Sequence, residues 1–425
     1  NIGGTGSQGS FNTAVGVGAG MSNQIGASNT FIGNEAGRNN VSGSENVYIG
    51  SGAGTLIETG RANVHIGQAA GGNNPNGNYN VTVGEGTGNS MIGGSQNVLL
   101  GHRAARHMLR GSHNVAIGGY ALFGDSIQTL NGLVAIGDSA LYSITTGQWN
   151  VALGKASLRD NTTGGFNTAI GYASMVRNIA GFSNTAVGNR SMGWKNDGNY
   201  NTAVGDFALY YNYGGNSNTA LGANAGYNNQ FGEGSVYIGH DAGYNDTIGL
   251  YNTYIGYRAG YATTVSDGSN IFIGAFAGEN LLLPGQNIFI GNNSGQFAES
   301  PNNIFIGTSA GQSNTSTGDN VFVGNFAGLA NTTGESSVFV GGNTGIDNNG
   351  SGNVFVGTLA GSSAAFVDSS VFLGFTAGGN ATRSQTLYIE NTPSNAPLIY
   401  GEFDNDKVEI NGSLKVNSTT GGFVL

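Results

Sequence analysis

The pentapeptide Asn320-Val321-Phe322-Val323-Gly324 recurs along the chain in slightly varied form, and an early copy reads Asn12-Thr13-Ala14-Val15-Gly16. If the last glycine of each copy is taken as an anchor, 22 anchors run from Gly16 to Gly374 with a mean spacing of 17.0 residues. The residue before the anchor is Ile, Val or Leu in every copy, and the residue three before it is Val, Thr or Ile. Self-similarity at a fixed period is typical of repeat proteins, in which stacked copies bury a core that one copy cannot bury alone.

A 17-residue unit with one short strand and glycine-rich turns predicts an all-β fold. We expect a parallel β-solenoid of about 22 coils with a 17-residue period, in which each strand hydrogen-bonds to its copies in the adjacent coils. The repeats assign residues 1–380 to this solenoid, and residues 381–425 to a short β-rich C-terminal cap or neck with a hairpin at Asn411-Gly412. Because residues 421–425 end in mid-pattern, we expect the chain to be a piece of a longer protein.

Asparagine stands four residues before the anchor in 18 of the 22 copies. Side-chain amides stacked in this way can hydrogen-bond from one coil to the next. The alternative is that asparagine only tolerates the turn geometry at this corner. An anchor that is glycine in every copy indicates a positive φ or a backbone contact too close for a Cβ atom. The predicted asparagine ladder includes Asn12, Asn29, Asn46, Asn150, Asn167, Asn320 and Asn353.

The middle residue of each strand predicts an oligomer interface. If the residues one and three before the anchor point into the coil, the residue between them points outward. That middle residue is Phe in seven consecutive late copies and Ala in seven consecutive earlier ones. Soluble monomers avoid an exposed phenylalanine stripe unless something binds to it. We therefore expect a second copy of the chain to cover it, so that replacing Phe305 and Phe322 by Asp would dissociate the assembly. The predicted oligomer-interface ladder comprises Phe272, Phe289, Phe305, Phe322, Phe339, Phe355, Phe372, Ala152, Ala169, Ala186 and Ala203.

The residue four after the anchor varies in size inversely with the middle residue of the next copy. Leu209 precedes Ala220, whereas Gly226 precedes Tyr237. Close packing penalises both voids and overfilling, by about 1–5 kcal/mol per site. We therefore expect the two columns to touch, within a protomer or across an interface between chains. The alternative is that two repeat types were joined and the columns never meet.

A family resemblance rests on strings such as Asn150-Val151-Ala152-Leu153-Gly154 and Asn184-Thr185-Ala186-Val187-Gly188, each with a small residue three positions further on. Over roughly residues 12–378 these strings resemble the head repeats of trimeric autotransporter adhesins. The resemblance implies a left-handed β-roll, three chains around an axis, and display on a bacterial surface to bind host or matrix. The longer period and the phenylalanine ladder depart from the family, so a higher rotational order stays open. The last forty residues resemble the neck before the chaperone domain of bacterial surface and phage fibre proteins.

Composition excludes several classes of function. The chain has no cysteine, which removes thiol catalysis, disulfides and thiolate metal sites. Its net charge of −10, without basic runs, argues against nucleic-acid binding, and no apolar run approaches the roughly 20 residues of a membrane helix. No catalytic constellation and no cofactor or metal motif is evident. Two groups of possible metal ligands are interpreted instead as exposed corner residues and a solvated turn, namely His102, His107 and His113, and Glu402, Asp404 and Asp406.

These observations predict a non-catalytic structural or adhesive segment of an extracellular fibre on a bacterial cell surface. Its expected partners are further copies of itself and an unknown cell-surface or glycan ligand, which aromatic residues such as Trp149 and Trp194 could contact. The alternative is a shaft or receptor-binding segment of a phage or phage-like tail fibre, which a downstream autoproteolytic chaperone would favour. A carbohydrate-active enzyme on a β-helix is a third possibility, and clustered carboxylates would favour it.

Overall fold

The structure of the chain is a computed structural model that describes residues 9–124, 129–194, 196–264, 268–281, 285–315, 318–392, 394 and 396–415. The described residues form strands and turns and contain no helix. The chain folds into two compact units, Asn1–Gly234 and Ser235–Leu425.

The described residues of the first unit form thirteen strands of three residues each. They are β1 (Thr13–Val15), β2 (Thr30–Ile32), β3 (Val47–Ile49), β4 (Val64–Ile66), β5 (Val81–Val83), β6 (Val98–Leu100), β7 (Val115–Ile117), β8 (Val134–Ile136), β9 (Val151–Leu153), β10 (Thr168–Ile170), β11 (Thr185–Val187), β12 (Thr202–Val204) and β13 (Thr219–Leu221).

In the part of the second unit that the structure describes, nine such strands are followed by three strands of four residues. They are β14 (Val236–Ile238), β15 (Thr253–Ile255), β16 (Ile271–Ile273), β17 (Ile288–Ile290), β18 (Ile304–Ile306), β19 (Val321–Val323), β20 (Val338–Val340), β21 (Val354–Val356), β22 (Val371–Leu373), β23 (Thr386–Ile389), β24 (Ile399–Glu402) and β25 (Lys407–Ile410).

Successive strands from β1 to β13 in the first unit, and from β14 to β23 in the second, pair in parallel and in register, so that each strand residue lies beside its counterpart in the next coil. Ala169 pairs with Ala186 in the first unit, and Phe305 pairs with Phe322 in the second. The turns follow the same pattern, since the amide of Gly20 donates to the carbonyl of Ala36 at 2.9 Å. Nearly every backbone group can thus bond to an adjacent coil. The predicted parallel β-solenoid with a 17-residue period is confirmed.

The anchor glycines are required for two reasons at once. Gly324 has a φ of 141°, a backbone conformation that side chains with a Cβ rarely adopt. A Cβ added to Gly324 would also lie 2.6 Å from the carbonyl carbon of Gly341, the anchor of the next coil. Positive φ and close backbone approach, which the sequence offered as alternatives, therefore occur together.

The strand faces the opposite way from the sequence prediction. In β2 to β22 the middle residue is buried and the two flanking residues are half-buried or exposed. The interior of a narrow 17-residue coil has room for one large side chain from each strand. The middle residue supplies that side chain, whereas the two flanking residues, if they pointed inward, would place two side chains in the same space. The prediction that the middle residues form an outward-facing oligomer interface is therefore wrong, because these residues point into the coil. Its members have no exposed surface even in the isolated chain, and they are Phe272, Phe289, Phe305, Phe322, Phe339, Phe355, Phe372, Ala152, Ala169, Ala186 and Ala203.

The end of the second unit leaves the parallel pattern. Strand β23 still pairs in parallel with β22, whereas β24 pairs antiparallel with both β23 and β25. The β24–β25 hairpin turns at residues 403–406, where Asp406 takes the left-handed conformation with a φ of 50°. The hairpin predicted at Asn411-Gly412 is wrong, because residues 413–415 form no strand; Val416 and residues 421–425 lie outside the described residues.

Candidate functional site

The interior of each coil is packed by two columns of complementary size. Gly37, four residues after its anchor, has a φ of 59°, and a Cβ there would lie 2.5 Å from Phe31 in the same coil and 3.0 Å from Tyr48 in the next. In most coils whose middle residue is alanine, the other column has a larger side chain, such as the fully buried Leu158 in the coil of Ala152. The predicted contact between the columns is confirmed, and it lies within one chain.

The phenylalanine rings form a continuous stack inside the second unit. From Phe272 to Phe372, neighbouring ring centroids lie 4.4 to 5.0 Å apart, with planes 4° to 12° from parallel. Tyr254 extends the stack at one end, at 4.8 Å from Phe272. Buried aromatic pairs contribute about 0.5–1.5 kcal/mol beyond their area burial. These rings therefore stabilise the coil and are not available to a partner.

The asparagines four residues before the anchor form the predicted ladder. The Oδ1 atom of Asn29 accepts hydrogen bonds from the backbone amide of Asn46 at 3.0 Å and from its side-chain amide at 3.1 Å. The Nδ2 atom of Asn29 donates to the carbonyl of Gly43 at 2.8 Å. In every predicted member, Oδ1 accepts the backbone amide of the next coil; these members are Asn12, Asn29, Asn46, Asn150, Asn167, Asn320 and Asn353.

A second buried polar column was missed from the sequence. It stands seven residues after the anchor and includes Asn23, Asn40 and Asn178. The Nδ2 atom of Asn40 donates to Oδ1 of Asn23 at 2.9 Å and to the carbonyl of Gly43 at 3.0 Å. The same 17-residue spacing that revealed the first ladder would have revealed this one, but Ile, Met, Leu and Ala interrupt the column in many coils.

The buried titratable side chains of the described residues include a histidine and an aspartate. His65 is fully buried, its Nδ1 atom lies 2.8 Å from the Thr82 hydroxyl, and burial lowers its pKa to about 3. Asp246 stands in the second polar column and accepts hydrogen bonds from the Tyr237 hydroxyl at 2.9 Å and from Asn252 at 3.0 Å. Burial raises the pKa of Asp246 to about 6 despite these donors. Neither group lies in an open cleft where a substrate could reach it.

The outer face of the strands presents the flanking residues. These two columns, one and three residues before the anchor, are here called the outer columns. All their residues in β1 to β22 are Val, Ile, Leu or Thr, and none is charged. Leu153 and Leu221 leave 42% and 48% of their surface exposed. From strand geometry, thirteen strands present roughly 400 Å² of such surface in the first unit, within the range of patches that mark interaction sites.

One corner of the first unit carries exposed aromatic side chains in four successive coils, namely Trp149, Phe166, Phe182 and Tyr200. Together with Thr146, Gly147, Gln148, Thr163 and Gly165, the first three line an open groove of about 340 Å³, here called the corner groove. The rings of Phe182 and Tyr200 meet edge to face with centroids 5.1 Å apart. No residue that lines the groove is charged.

Four of the six side chains that the sequence offers as possible metal ligands have other partners. Arg383 pairs with Asp404 at 2.8 Å and with Glu402 at 3.2 Å, beside the β24–β25 turn. His102 lies edge to face with Tyr120, and His107 lies in the same way against Phe123. Within the described part of the chain, no group of three or more His, Asp or Glu side chains could hold a metal ion. A search of the same residues for a helix long and apolar enough to cross a membrane found none.

The fold and these surfaces define a β-solenoid repeat protein. No protein-family model matches the chain, and comparisons with curated proteins and with solved structures likewise gave no match. The resemblance to trimeric autotransporter adhesins therefore stays a prediction from the repeat sequence.

Proposed function

We propose that the chain is a non-catalytic segment of an extracellular bacterial surface fibre that self-associates and mediates attachment to other cells or surfaces. The observation that carries this proposal is the chemistry of the outer columns. A sheet face of Val, Ile, Leu and Thr without a charge is costly to leave in water, because apolar burial is worth about 25 cal/mol per Å². The coil core needs no partner, so what remains to be covered is this outer face.

A second copy of the same chain fits this face best. The side chains of the outer columns repeat once per coil, at the roughly 4.8 Å spacing of paired strands. A partner surface whose side chains repeat at the same interval can make equivalent contacts with every coil. Another copy of the chain has such a surface. The absence of charge in the columns also removes the like-charge repulsion that would oppose self-contact.

Sedimentation velocity tests the proposal. The unaltered chain is expected to sediment as an oligomer, and a variant with Ile304→Lys, Val321→Lys and Val338→Lys is expected to sediment as a monomer with its β-sheet circular dichroism intact. The matched control carries Thr at the same three positions, a residue that the outer columns already contain, and should still assemble. A monomeric unaltered chain, or a lysine variant that assembles as well as the control, would contradict the proposal.

A further inference from the structure

The aromatic side chains of the corner groove are not needed by the fold. Trp149, Phe166 and Tyr200 each stand five residues before an anchor, a position where most other coils carry polar or small residues such as Ser28 and Ser336. All three are more than half exposed, at 53%, 64% and 60%, so they contribute little to the core. Aromatic residues also occur singly at this position, as Phe11, Tyr79 and Tyr251, whereas Trp149 and Phe166 lie in adjacent coils and Phe182 adds a ring in the coil after them. This clustering of exposed rings calls for a reason other than packing.

These aromatic residues also adopt an unfavourable backbone conformation. Trp149 and Phe166 have φ values of 58° and 59°, in the left-handed region that bulky residues avoid. Asparagine and glycine suit this conformation better, and both are abundant in the chain. The same position has a positive φ in other coils, for example 59° at Ser28 and 62° at Glu45, so the fold imposes this conformation and the bulky rings occupy it against their backbone preference.

The neighbouring coil is shaped to receive one of the rings. Gly132 occupies in its coil the position that Trp149 occupies in the next, and a Cβ added to Gly132 would overlap the indole ring. The indole of Trp149 therefore lies across the backbone of Gly132, with more than half of the residue's surface open to solvent. This arrangement fixes an aromatic platform beside the groove.

The backbone of the groove has no donors to offer at these positions. The amides of Thr146 and Gly147 donate to the carbonyl of Thr162, and the amide of Phe166 donates to the carbonyl of Gln148. An extended peptide that binds by strand addition needs unpaired backbone groups, and here they are used between coils. A ligand must instead be recognised by ring faces and by polar side chains, which the groove supplies as Gln148, Thr146 and Thr163.

We propose that the corner groove binds a neutral polysaccharide chain. The C–H faces of sugar rings stack on the electron-rich faces of aromatic rings, and sugar hydroxyls exchange hydrogen bonds with amide and hydroxyl side chains. The lining carries no charge to pair with an acidic or basic polymer. Aromatic side chains recur coil after coil, which suits a ligand built of repeated units. The inference rests on the attachment role proposed above, for which it names a class of ligand.

Affinity electrophoresis in native gels tests the inference directly. Soluble xyloglucan, mixed-linkage β-glucan and galactomannan serve as neutral probes, and alginate as the charged one. At least one neutral probe is expected to retard the chain, and alginate is not. The double variant Trp149→Asn and Phe166→Asn removes both rings while keeping a residue that tolerates the backbone conformation, and it should lose at least tenfold in affinity. Tyr251→Asn, which removes an exposed aromatic ring at the same coil position in the second unit, should bind like the unaltered chain.

Fluorescence gives a second readout from the groove itself. Trp149 and Trp194 are the two tryptophans of the chain, so Trp194→Phe leaves Trp149 as the sole indole. Addition of the retarding polysaccharide should then shift the Trp149 emission to shorter wavelength. Failure of every neutral probe, stronger binding of alginate, or unchanged binding by the double variant would overturn the inference. Sedimentation of the same double variant distinguishes this inference from the proposal of self-association. If the unaltered chain binds no polysaccharide and the double variant fails to assemble, the corner groove is a contact between copies of the chain.

Discussion

The rings of Phe355 and Phe372 lie in adjacent coils with their centroids 4.4 Å apart and their planes 4° from parallel. The two residues are register partners in the parallel sheet, so the separation of the rings follows the separation of the strands. Because each ring is in contact with the one in the next coil, the stack couples neighbouring coils through side chains as well as through the backbone.

This stack predicts how a core substitution acts. Phe322→Ala should lower the free energy of unfolding by about 3–5 kcal/mol, because it leaves a cavity between two rings that cannot close on each other. Phe326 in the same coil is 40% exposed, and Phe326→Ala should cost less than about 1 kcal/mol. Urea denaturation of both variants measures the difference. Equal costs would show that the ring of Phe322 is not confined in the core.

The same stack changes the outcome expected for Phe305→Asp with Phe322→Asp. The sequence alone predicts that these changes separate chains. With both rings buried in the coil, they place charges in an apolar interior and should unfold the surrounding coils before any question of assembly arises.

The anchor glycines allow a comparison between adjacent residues. Gly341 has a φ of 143°, and a Cβ there would lie 2.6 Å from the carbonyl carbon of Gly357, whereas a Cβ on Gly342 would meet no atom within 4 Å. Gly341→Ala should therefore destabilise the fold by more than about 2 kcal/mol. Gly342→Ala should be neutral or slightly stabilising. Thermal unfolding of the two variants provides the measurement, and similar melting temperatures would argue against the close approach of the coils.

The period and the ladder were accessible from the sequence, whereas the facing of the strand was not. The spacing of Asn12 and Gly16 and of their copies gave the coil length and the corner that carries the amides. The strand Val321–Val323 is apolar at all three positions, so alternation alone cannot tell one inward side chain from two. The inverse variation in size between the middle residue and the residue four after the anchor indicates the facing better. Two columns whose volumes complement each other must share one interior, so the middle residue points inward.

The asparagine ladder predicts an order among polar substitutions. The Nδ2 atom of Asn46 donates to the Gly60 carbonyl at 2.8 Å and to Oδ1 of Asn29 at 3.1 Å. Asn46→Asp turns this donor into a buried carboxylate oxygen facing two acceptors, and should cost about 3 kcal/mol or more at neutral pH.

Serine provides the matched control at the same position. In a natural copy, the hydroxyl of Ser337 accepts the backbone amide of Asn353 at 3.2 Å. Asn46→Ser can keep that acceptor for the next coil and should cost about 1 kcal/mol. Urea midpoints of both variants test this order, and an aspartate variant as stable as the serine variant would mean that the ladder does not rely on its donors.

The buried carboxyl of Asp246 predicts a pH dependence of stability. Burial raises its pKa in the folded chain to about 6, whereas an unfolded aspartate titrates near 3.9. Between these values the folded state binds more protons than the unfolded state, so this group makes the free energy of unfolding fall as pH rises from about 4 to about 6. The loss approaches roughly 3 kcal/mol and is complete above the folded pKa.

Asp246→Asn isolates this contribution, since asparagine occupies the same column at Asn229 and Asn331 and does not titrate. The variant should gain stability relative to the unaltered chain as pH rises from 4 to 6, with a constant difference in the free energy of unfolding above pH 6.

His65 contributes a slope of the opposite sign in the first unit, because its lowered pKa makes the free energy of unfolding fall as pH drops below about 6.5. Both chains contain His65, so its contribution cancels in the difference between them. Denaturation at a series of pH values measures the difference. A difference independent of pH would show that the pKa of Asp246 is not raised in the folded chain, so that its three donors, the Tyr237 hydroxyl and the amides of Gly249 and Asn252, offset its burial.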